Sequence, residues 1–218
     1  MSWLSQFLTS SLGKKFVMSL TGLFLILFLI VHLTINFTVV FNDDGILFGE
    51  LVHMMESSPL IKVISYVLYL SILLHIIQAY LLYLQNRKAK GQKYKISTWA
   101  NATFASKNMT LLGSLILIFL IIHLLDFFYG LKISHTLPEE ALYDEVIHVY
   151  KKPGYVVLYT VSMIFLALHL SQGFQSAFQT LGLNHRKYTP IIKFLGLVYS
   201  IIIPLGFAII PVYVYFFK

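Results

Sequence analysis

The sequence has no cysteine and few charged residues: of 218 residues, 11% are charged and 58% are hydrophobic. The lack of cysteine excludes disulfides, cysteine-bound zinc and iron–sulfur clusters held by this chain alone. Any metal must therefore be held by histidines or carboxylates. The low charge content and the mean hydropathy of +0.79 indicate a protein that crosses a membrane several times and is in contact with lipid.

Five apolar stretches are long enough to cross a membrane, because a helix needs about 20 residues to span roughly 30 Å of hydrocarbon. No other segment is long enough to form a second folded core, so residues 1–218 are expected to form one domain. The predicted fold is an all-α membrane protein with five transmembrane helices. We place them at 16–41, 60–84, 109–130, 155–180 and 191–217.

The charged residues predict the orientation of these helices. Basic residues are concentrated before the first span and in the loops at 85–108 and 181–190. The other two loops hold every acidic residue except Asp126, which closes the third span on that same acidic side. By the positive-inside rule, the N-terminus is cytoplasmic and the C-terminus is outside. The net charge of +7 then reflects topology, and no nucleic-acid partner is expected.

Four of the eight histidines lie inside predicted spans, where an ionisable side chain is costly and marks a candidate functional site. His32 and His123 lie on spans that start inside, about 24 Å from the cytoplasmic end. His75 and His169 lie on spans that start outside, at a similar distance from the outer end. We therefore expect an outer pair, His32 and His123, and an inner pair, His75 and His169, about 10–15 Å apart in depth.

A short internal repeat supports this pairing. Residues 28–33, FLIVHL, are nearly repeated as residues 119–124, FLIIHL. A glycine stands ten positions before the histidine in both copies, at Gly22 and Gly113. Such glycines can make room for the edge of a flat cofactor, or they can serve ordinary close packing between helices.

Histidine pairs at two depths favour haem over other metal centres. A single histidine in a span is more often an interhelical hydrogen-bonding group than a ligand, but four matched histidines favour ligation. Zinc or copper needs ligands that converge at one depth, usually with a carboxylate or thiolate. Haem iron takes one neutral imidazole on each face. Two layers of two histidines therefore predict two bis-histidine haems.

The sequence around these histidines resembles the cytochrome b subunit of succinate dehydrogenases and fumarate reductases of the five-helix, two-haem type. The resemblance covers nearly the whole chain. Its most specific pieces are TGLFL at 21–25 followed by His32, LHII at 74–77, SKNM at 106–109, and the run from His169 that continues as GFQSAFQTLGLNH at 173–185.

This resemblance implies the cofactors and the ligand of each. His75 and His169 would bind the haem b near the cytoplasm, and His32 and His123 would bind the outer haem b, in agreement with the predicted depths. It also implies a multi-pass protein of a bacterial cytoplasmic membrane. Because relatives with two haems use menaquinone, the resemblance implies menaquinone as the substrate of this chain.

The resemblance further implies two hydrophilic partners on the cytoplasmic side, a flavoprotein with the dicarboxylate site and an iron–sulfur protein. The chain would anchor both in the lipid membrane and pass electrons between the clusters and quinone. It carries no flavin or nucleotide fingerprint, so it would be a subunit of the enzyme complex and not an enzyme alone. Whether the complex forms a higher oligomer stays open.

Quinone chemistry moves protons together with electrons, so carboxylates near the outer pair are the candidate proton-transfer groups. They are Glu56 and Glu50, in the loop after the first span, and Asp126, three residues after His123. Relatives place a functional glutamate in the region of Glu56. The alternative for Glu50 and Glu56 is a solvated face of a short interfacial helix.

Two other functions fit part of the pattern. A cytochrome b that anchors a different quinone-linked dehydrogenase would share the haem chemistry, and only the extended resemblance argues against it. A proton-coupled transporter could use the four histidines as a proton relay. Such a transporter would usually show broken helices and a polar cavity near the membrane midplane, which the first four spans do not show.

Overall fold

The structure is a computed structural model that describes residues 3–89 and 103–218, and these two ranges contain helices but no strand. Part of the predicted basic loop at 85–108 therefore lies outside the described residues. A π-helical segment, Leu124–Ile133, directly follows the helix that ends at His123. The helices are α1 (Trp3–Thr9), α2 (Ser11–Phe37), α3 (Ile46–Ser57), α4 (Pro59–Ala89), α5 (Phe104–Lys107), α6 (Met109–His123), α7 (Leu142–Tyr150), α8 (Pro153–Thr180) and α9 (Thr189–Phe217).

Among the described residues, five helical stretches are long and apolar enough to cross a membrane, which confirms the predicted all-α, five-helix fold. The first begins five residues before its predicted start and the second ends four residues after its predicted end, because polar terminal turns are helical too. Proline lies in the first turn of α4, α8 and α9, where its missing N–H leaves no helix hydrogen bond unmade. The stretches are Ser11–Val40, Pro59–Lys88, Met109–Ile133, Pro153–Thr180 and Thr189–Phe217.

Four of these helices, α2, α4, α6 and α8, form a bundle, and the fifth, α9, lies along its side. Helix α2 packs on α4 and α8, α6 packs on α8, and α9 lies against α8 and α2. Within the described ranges, α2 and α6 do not pack along their lengths, and neither do α4 and α8. These two helix pairs are therefore the diagonals of the bundle, and side chains on them face each other across its interior.

The two ends of the bundle differ in charge. We call one the acidic end, where α3 and α7 cover the bundle and form an apolar core with the ends of α2 and α9. The Lys218 ammonium donates to the Phe41 carbonyl there, at 2.6 Å, so α9 finishes beside the end of α2. The opposite end, where α2 begins, is the basic end. The chain thus starts and finishes at opposite ends of the bundle.

Candidate functional site

The structure brings the four histidines of the spans together in the two predicted pairs. The ring centres of His32 on α2 and His123 on α6 lie 5.8 Å apart, with the ring planes at 84°. Those of His75 on α4 and His169 on α8 lie 6.4 Å apart, with the planes at 68°. Each pair spans one diagonal of the bundle, so the imidazoles meet where the helices themselves stay apart.

The two glycines of the internal repeat show that the pairs lie in separate layers. A Cβ atom on Gly22 would lie 3.4 Å from Cε1 of His75, and one on Gly113 would lie 3.7 Å from Cε1 of His169. Each glycine stands ten residues, or about 15 Å of helix, before the histidine of its own span, and these two histidines form the His32–His123 pair. The layers are therefore about 15 Å apart. The lack of a side chain at both glycines leaves room for the imidazoles of the His75–His169 pair. Their matched position, ten residues before a histidine in both copies of the repeat, could have indicated this role.

The contacts of Tyr159 indicate which nitrogen of His123 carries the proton. The Tyr159 hydroxyl donates to the Asp126 carboxylate at 3.0 Å, and its oxygen lies 3.4 Å from Nδ1 of His123. Because a hydroxyl has one hydrogen, Nδ1 must be the donor in the second contact. A neutral His123 ring then has a free lone pair on Nε2, which is the form that binds a metal.

The same reasoning applies to His75. The Thr21 hydroxyl donates to the Val17 carbonyl at 2.9 Å, and its oxygen lies 3.2 Å from Nδ1 of His75. The hydrogen in this contact must again come from Nδ1. Each histidine pair thus contains one ring whose Nε2 lone pair is left free by the hydrogen bond at its other nitrogen.

The remaining two histidines have different surroundings. The Asn36 amide nitrogen lies 3.3 Å from Nδ1 of His32 and also donates to the His32 carbonyl at 2.8 Å. Nδ1 of His169 is buried and has no hydrogen-bond partner in the described part of the chain. Among the hydrogen bonds of residues 3–89 and 103–218, none involves Nε2 of a paired histidine. All four Nε2 atoms are therefore available to a ligand.

The geometry and the donor set fit haem iron. Two imidazoles that hold one metal ion from opposite sides, at roughly 2 Å per bond, have ring centres roughly 6 Å apart. The distances of 5.8 and 6.4 Å agree with this arrangement. In the described ranges, no third His, Cys, Asp or Glu side chain joins either pair. Two imidazoles are the complete protein contribution that a bis-histidine haem needs.

Aromatic rings support the histidines of the internal repeat. Phe28 stacks on His32 with 5.1 Å between ring centres, and Phe119 stacks on His123 at 5.8 Å. Residues four apart share one face of a helix, so the repeated phenylalanine could have been identified from its spacing. Phe207 of α9 contacts His32 from another side, at 5.5 Å. These contacts restrict the rotation of both imidazoles.

Asp126 lies in the π-helical segment and is connected to the His32–His123 pair through a tyrosine. Its carboxylate accepts hydrogen bonds from the hydroxyls of Tyr155, at 3.3 Å, and Tyr159, at 3.0 Å. Tyr159 is the residue that contacts Nδ1 of His123. The structure thus brings Asp126 into the surroundings of His123, as its sequence position suggested, and adds a tyrosine that the sequence did not indicate.

Glu56 and Glu50 both lie on α3 at the acidic end, but their environments differ. Glu56 forms an ion pair with Lys132 of the π-helical segment, and its side chain is only 19% exposed. Glu50 is exposed and lines an open pocket that also contains His53 and Glu139. A solvated helix face therefore describes Glu50 but not Glu56. In the described residues, neither carboxylate has a hydrogen bond to a paired histidine.

No family model, curated protein or solved structure matches this chain.

Proposed function

We propose that this chain is the di-haem cytochrome b subunit that anchors a succinate:quinone oxidoreductase in a bacterial cytoplasmic membrane. One observation carries the proposal: two histidine pairs lie on the diagonals of a membrane-spanning bundle, with ring centres 5.8 and 6.4 Å apart. His32 and His123 would hold one haem b, and His75 and His169 the other. When bound, haem b supplies a one-electron redox centre.

The residues around the histidines hold the ligands in the required form. Tyr159 and Thr21 accept the Nδ1 hydrogen of His123 and His75 and so direct the lone pair to Nε2. Phe28 and Phe119 stack on the rings and restrict their rotation. The apolar bundle excludes water, and burial is one of the properties by which a protein sets a haem potential.

In the proposed complex, the basic end faces the cytoplasm and receives an iron–sulfur protein and a flavoprotein with the dicarboxylate site. The charges at the two ends support this orientation, since positively charged loops stay inside. The chain would pass electrons between the iron–sulfur partner and menaquinone at the acidic end. Glu56, Glu50 and Asp126 at that end are the candidate proton-transfer groups.

Purification of the tagged chain from native membranes in mild detergent tests this function. We expect about two haem b per chain by pyridine-haemochrome assay, together with a flavoprotein and an iron–sulfur protein. An intact assembly without haem would contradict the proposal. Haem with hydrogenase or formate dehydrogenase partners would support the related cytochrome b function. A haem-free chain that catalyses proton-coupled uptake in vesicles would indicate a transporter.

The close approach of Gly22 to His75 gives a more local prediction. An alanine Cβ fits at 3.4 Å from Cε1 of His75, but a leucine side chain would displace the imidazole. Gly22→Leu should therefore lose the haem of the His75–His169 pair, about half of the total, whereas Gly22→Ala should keep both. Haem per chain is the measurement.

A leucine at Gly154 is the matched control, since a Cβ there meets no atom within 4 Å. Gly154→Leu should retain both haems. Two haems in correctly assembled Gly22→Leu would contradict the assignment of the His75–His169 pair as ligands.

A further inference from the structure

Within residues 3–89 and 103–218, one of the four paired histidines is connected to a carboxylate of a membrane span. Asp126 accepts hydrogen bonds from Tyr155 and Tyr159. It has no cationic side chain within ion-pair distance in the described ranges. Asp126 lies toward the acidic end of the apolar stretch Met109–Ile133, where a carboxylate is a candidate functional group. The role of Asp126 is therefore inferred from its hydrogen bonds, because no ion pair in the described ranges accounts for it.

The hydrogen-bond chain has one direction. The Tyr159 hydroxyl donates to Asp126 at 3.0 Å, and Nδ1 of His123 lies 3.4 Å from the same oxygen. Because the single hydroxyl hydrogen is used by Asp126, we infer that Nδ1 is the donor to Tyr159. Tyr159 is buried between Phe119 and Tyr150, whose ring centres lie 5.0 and 5.1 Å from its own. This packing keeps the hydroxyl between the imidazole and the carboxylate. The carboxyl group of Asp126 is thus connected to His123 by two consecutive hydrogen bonds.

In the part of the chain that the structure describes, the other histidine pair has no equivalent connection to a carboxylate. His75 contacts the neutral Thr21 hydroxyl, which donates onward to a backbone carbonyl, and the Met18 backbone, and neither partner carries a charge. Nδ1 of His169 has no partner among the described residues. A carboxylate therefore acts on the His32–His123 pair alone.

We propose that Asp126, acting through Tyr159, is a positioning residue that makes His123 a more electron-rich ligand and lowers the reduction potential of the haem at this pair. This inference rests on the proposed function, because it requires haem at the site. A carboxylate at the end of the chain draws the Nδ1 hydrogen away from the ring and increases the negative charge on Nε2. A more negative ligand stabilises oxidised iron relative to reduced iron.

The test is a redox titration of the purified complex, with each haem followed by its own absorption band. In Asp126→Asn the potential of one haem should become more positive while the other stays unchanged. We expect roughly a tenfold change in the ratio of oxidised to reduced haem, which is about 59 mV for a one-electron couple. Asp126→Glu keeps the charge and should stay near the parent value.

Removal of Tyr159 separates the hydrogen-bond route from simple electrostatics. Tyr159→Phe should shift the same haem in the same direction, and Asp126→Asn should add little in that background. An equal additional shift would mean that Asp126 acts through space, and the role of Tyr159 would be wrong. Tyr155→Phe is the matched control, because Tyr155 contacts Asp126 but not His123 in the described hydrogen bonds. Its effect should be smaller than that of Tyr159→Phe.

Other outcomes distinguish this inference from the proposed function. Two haems with unchanged potentials in Asp126→Asn would overturn the inference and leave the haem assignment intact. A parent complex without haem would overturn the proposed function instead. If Asp126→Asn fails to assemble, Tyr159→Phe decides, with the low-spin ferric signal in electron paramagnetic resonance as a second measurement of the ligand field.

Discussion

Replacing His75 or His169 with alanine should remove one haem b and leave the other, whereas His32→Ala or His123→Ala should remove the second and leave the first. Each haem needs both of its imidazoles, and the two pairs lie in separate layers of the bundle, so the losses should be independent. Haem per chain should fall from about two to about one in each single variant. The two variants of one histidine pair should retain the same haem absorption band in the reduced-minus-oxidised spectrum, that of the other pair.

Two controls separate loss of a ligand from loss of the fold. His148 is exposed on α7, outside the spans, so His148→Ala should keep both haems. Added imidazole should restore haem in the alanine variants, because it can replace the missing ring without restoring the side chain. Two haems in all four variants of the paired histidines would show that the pairs do not bind haem.

Glu56→Gln should keep both haems and the reduction of artificial dyes by succinate, but lose most quinone-linked turnover. The reason is that the proposed quinone chemistry at the acidic end needs a proton-transfer group, and a carboxamide cannot exchange a proton in this way. General acid–base catalysis typically contributes about 10²–10⁴-fold to a rate, so a loss of at least roughly tenfold is expected. Quinone-linked and dye-linked succinate oxidation are measured on the same preparation.

The ion pair of Glu56 with Lys132 provides a control for its structural contribution. Lys132→Gln breaks the pair but leaves the carboxylate, so it should retain more quinone activity than Glu56→Gln. Glu50→Gln, on the exposed side of the same helix, should have the smaller effect of the two glutamates. Unchanged activity in both glutamate variants and in their combination would remove Glu56 and Glu50 from the mechanism. Asp126 or a site near the His75–His169 pair would then remain.

The histidine pairs could be predicted from sequence because a helix rises 1.5 Å per residue. Counting residues from the ends of the spans gives a depth for each imidazole, and equal depths gave His32 with His123 and His75 with His169. Counting residues does not give the rotation of a helix about its axis, so it does not show which neighbouring helix a side chain contacts. This is why the sequence placed Asp126 near His123 but did not show that Tyr159, on another helix, stands between them.

Local departures from regular helical structure could not be predicted from the sequence either. The chain continues from His123 into a π-helical segment, which changes the direction of Asp126 and Lys132 relative to a regular α-helix. Hydropathy cannot distinguish the two kinds of helix, since both satisfy the backbone within one segment. The ion pair between Lys132 and Glu56 joins residues 76 positions apart. It depends on the placement of α3 at the acidic end, which no periodicity in the sequence encodes.

The arrangement of the bundle diagonals has a consequence for the biogenesis of the protein. Across the two diagonals, imidazoles meet where the helices themselves do not pack in the described residues. A ligand that bridges each pair would join helices that are otherwise held together only through their neighbours, and its binding free energy would add to the folding free energy. With haem as the proposed ligand, newly inserted chains should depend on haem supply for resistance to membrane proteases. The cellular level of the protein would then follow cofactor availability as well as its own rate of synthesis.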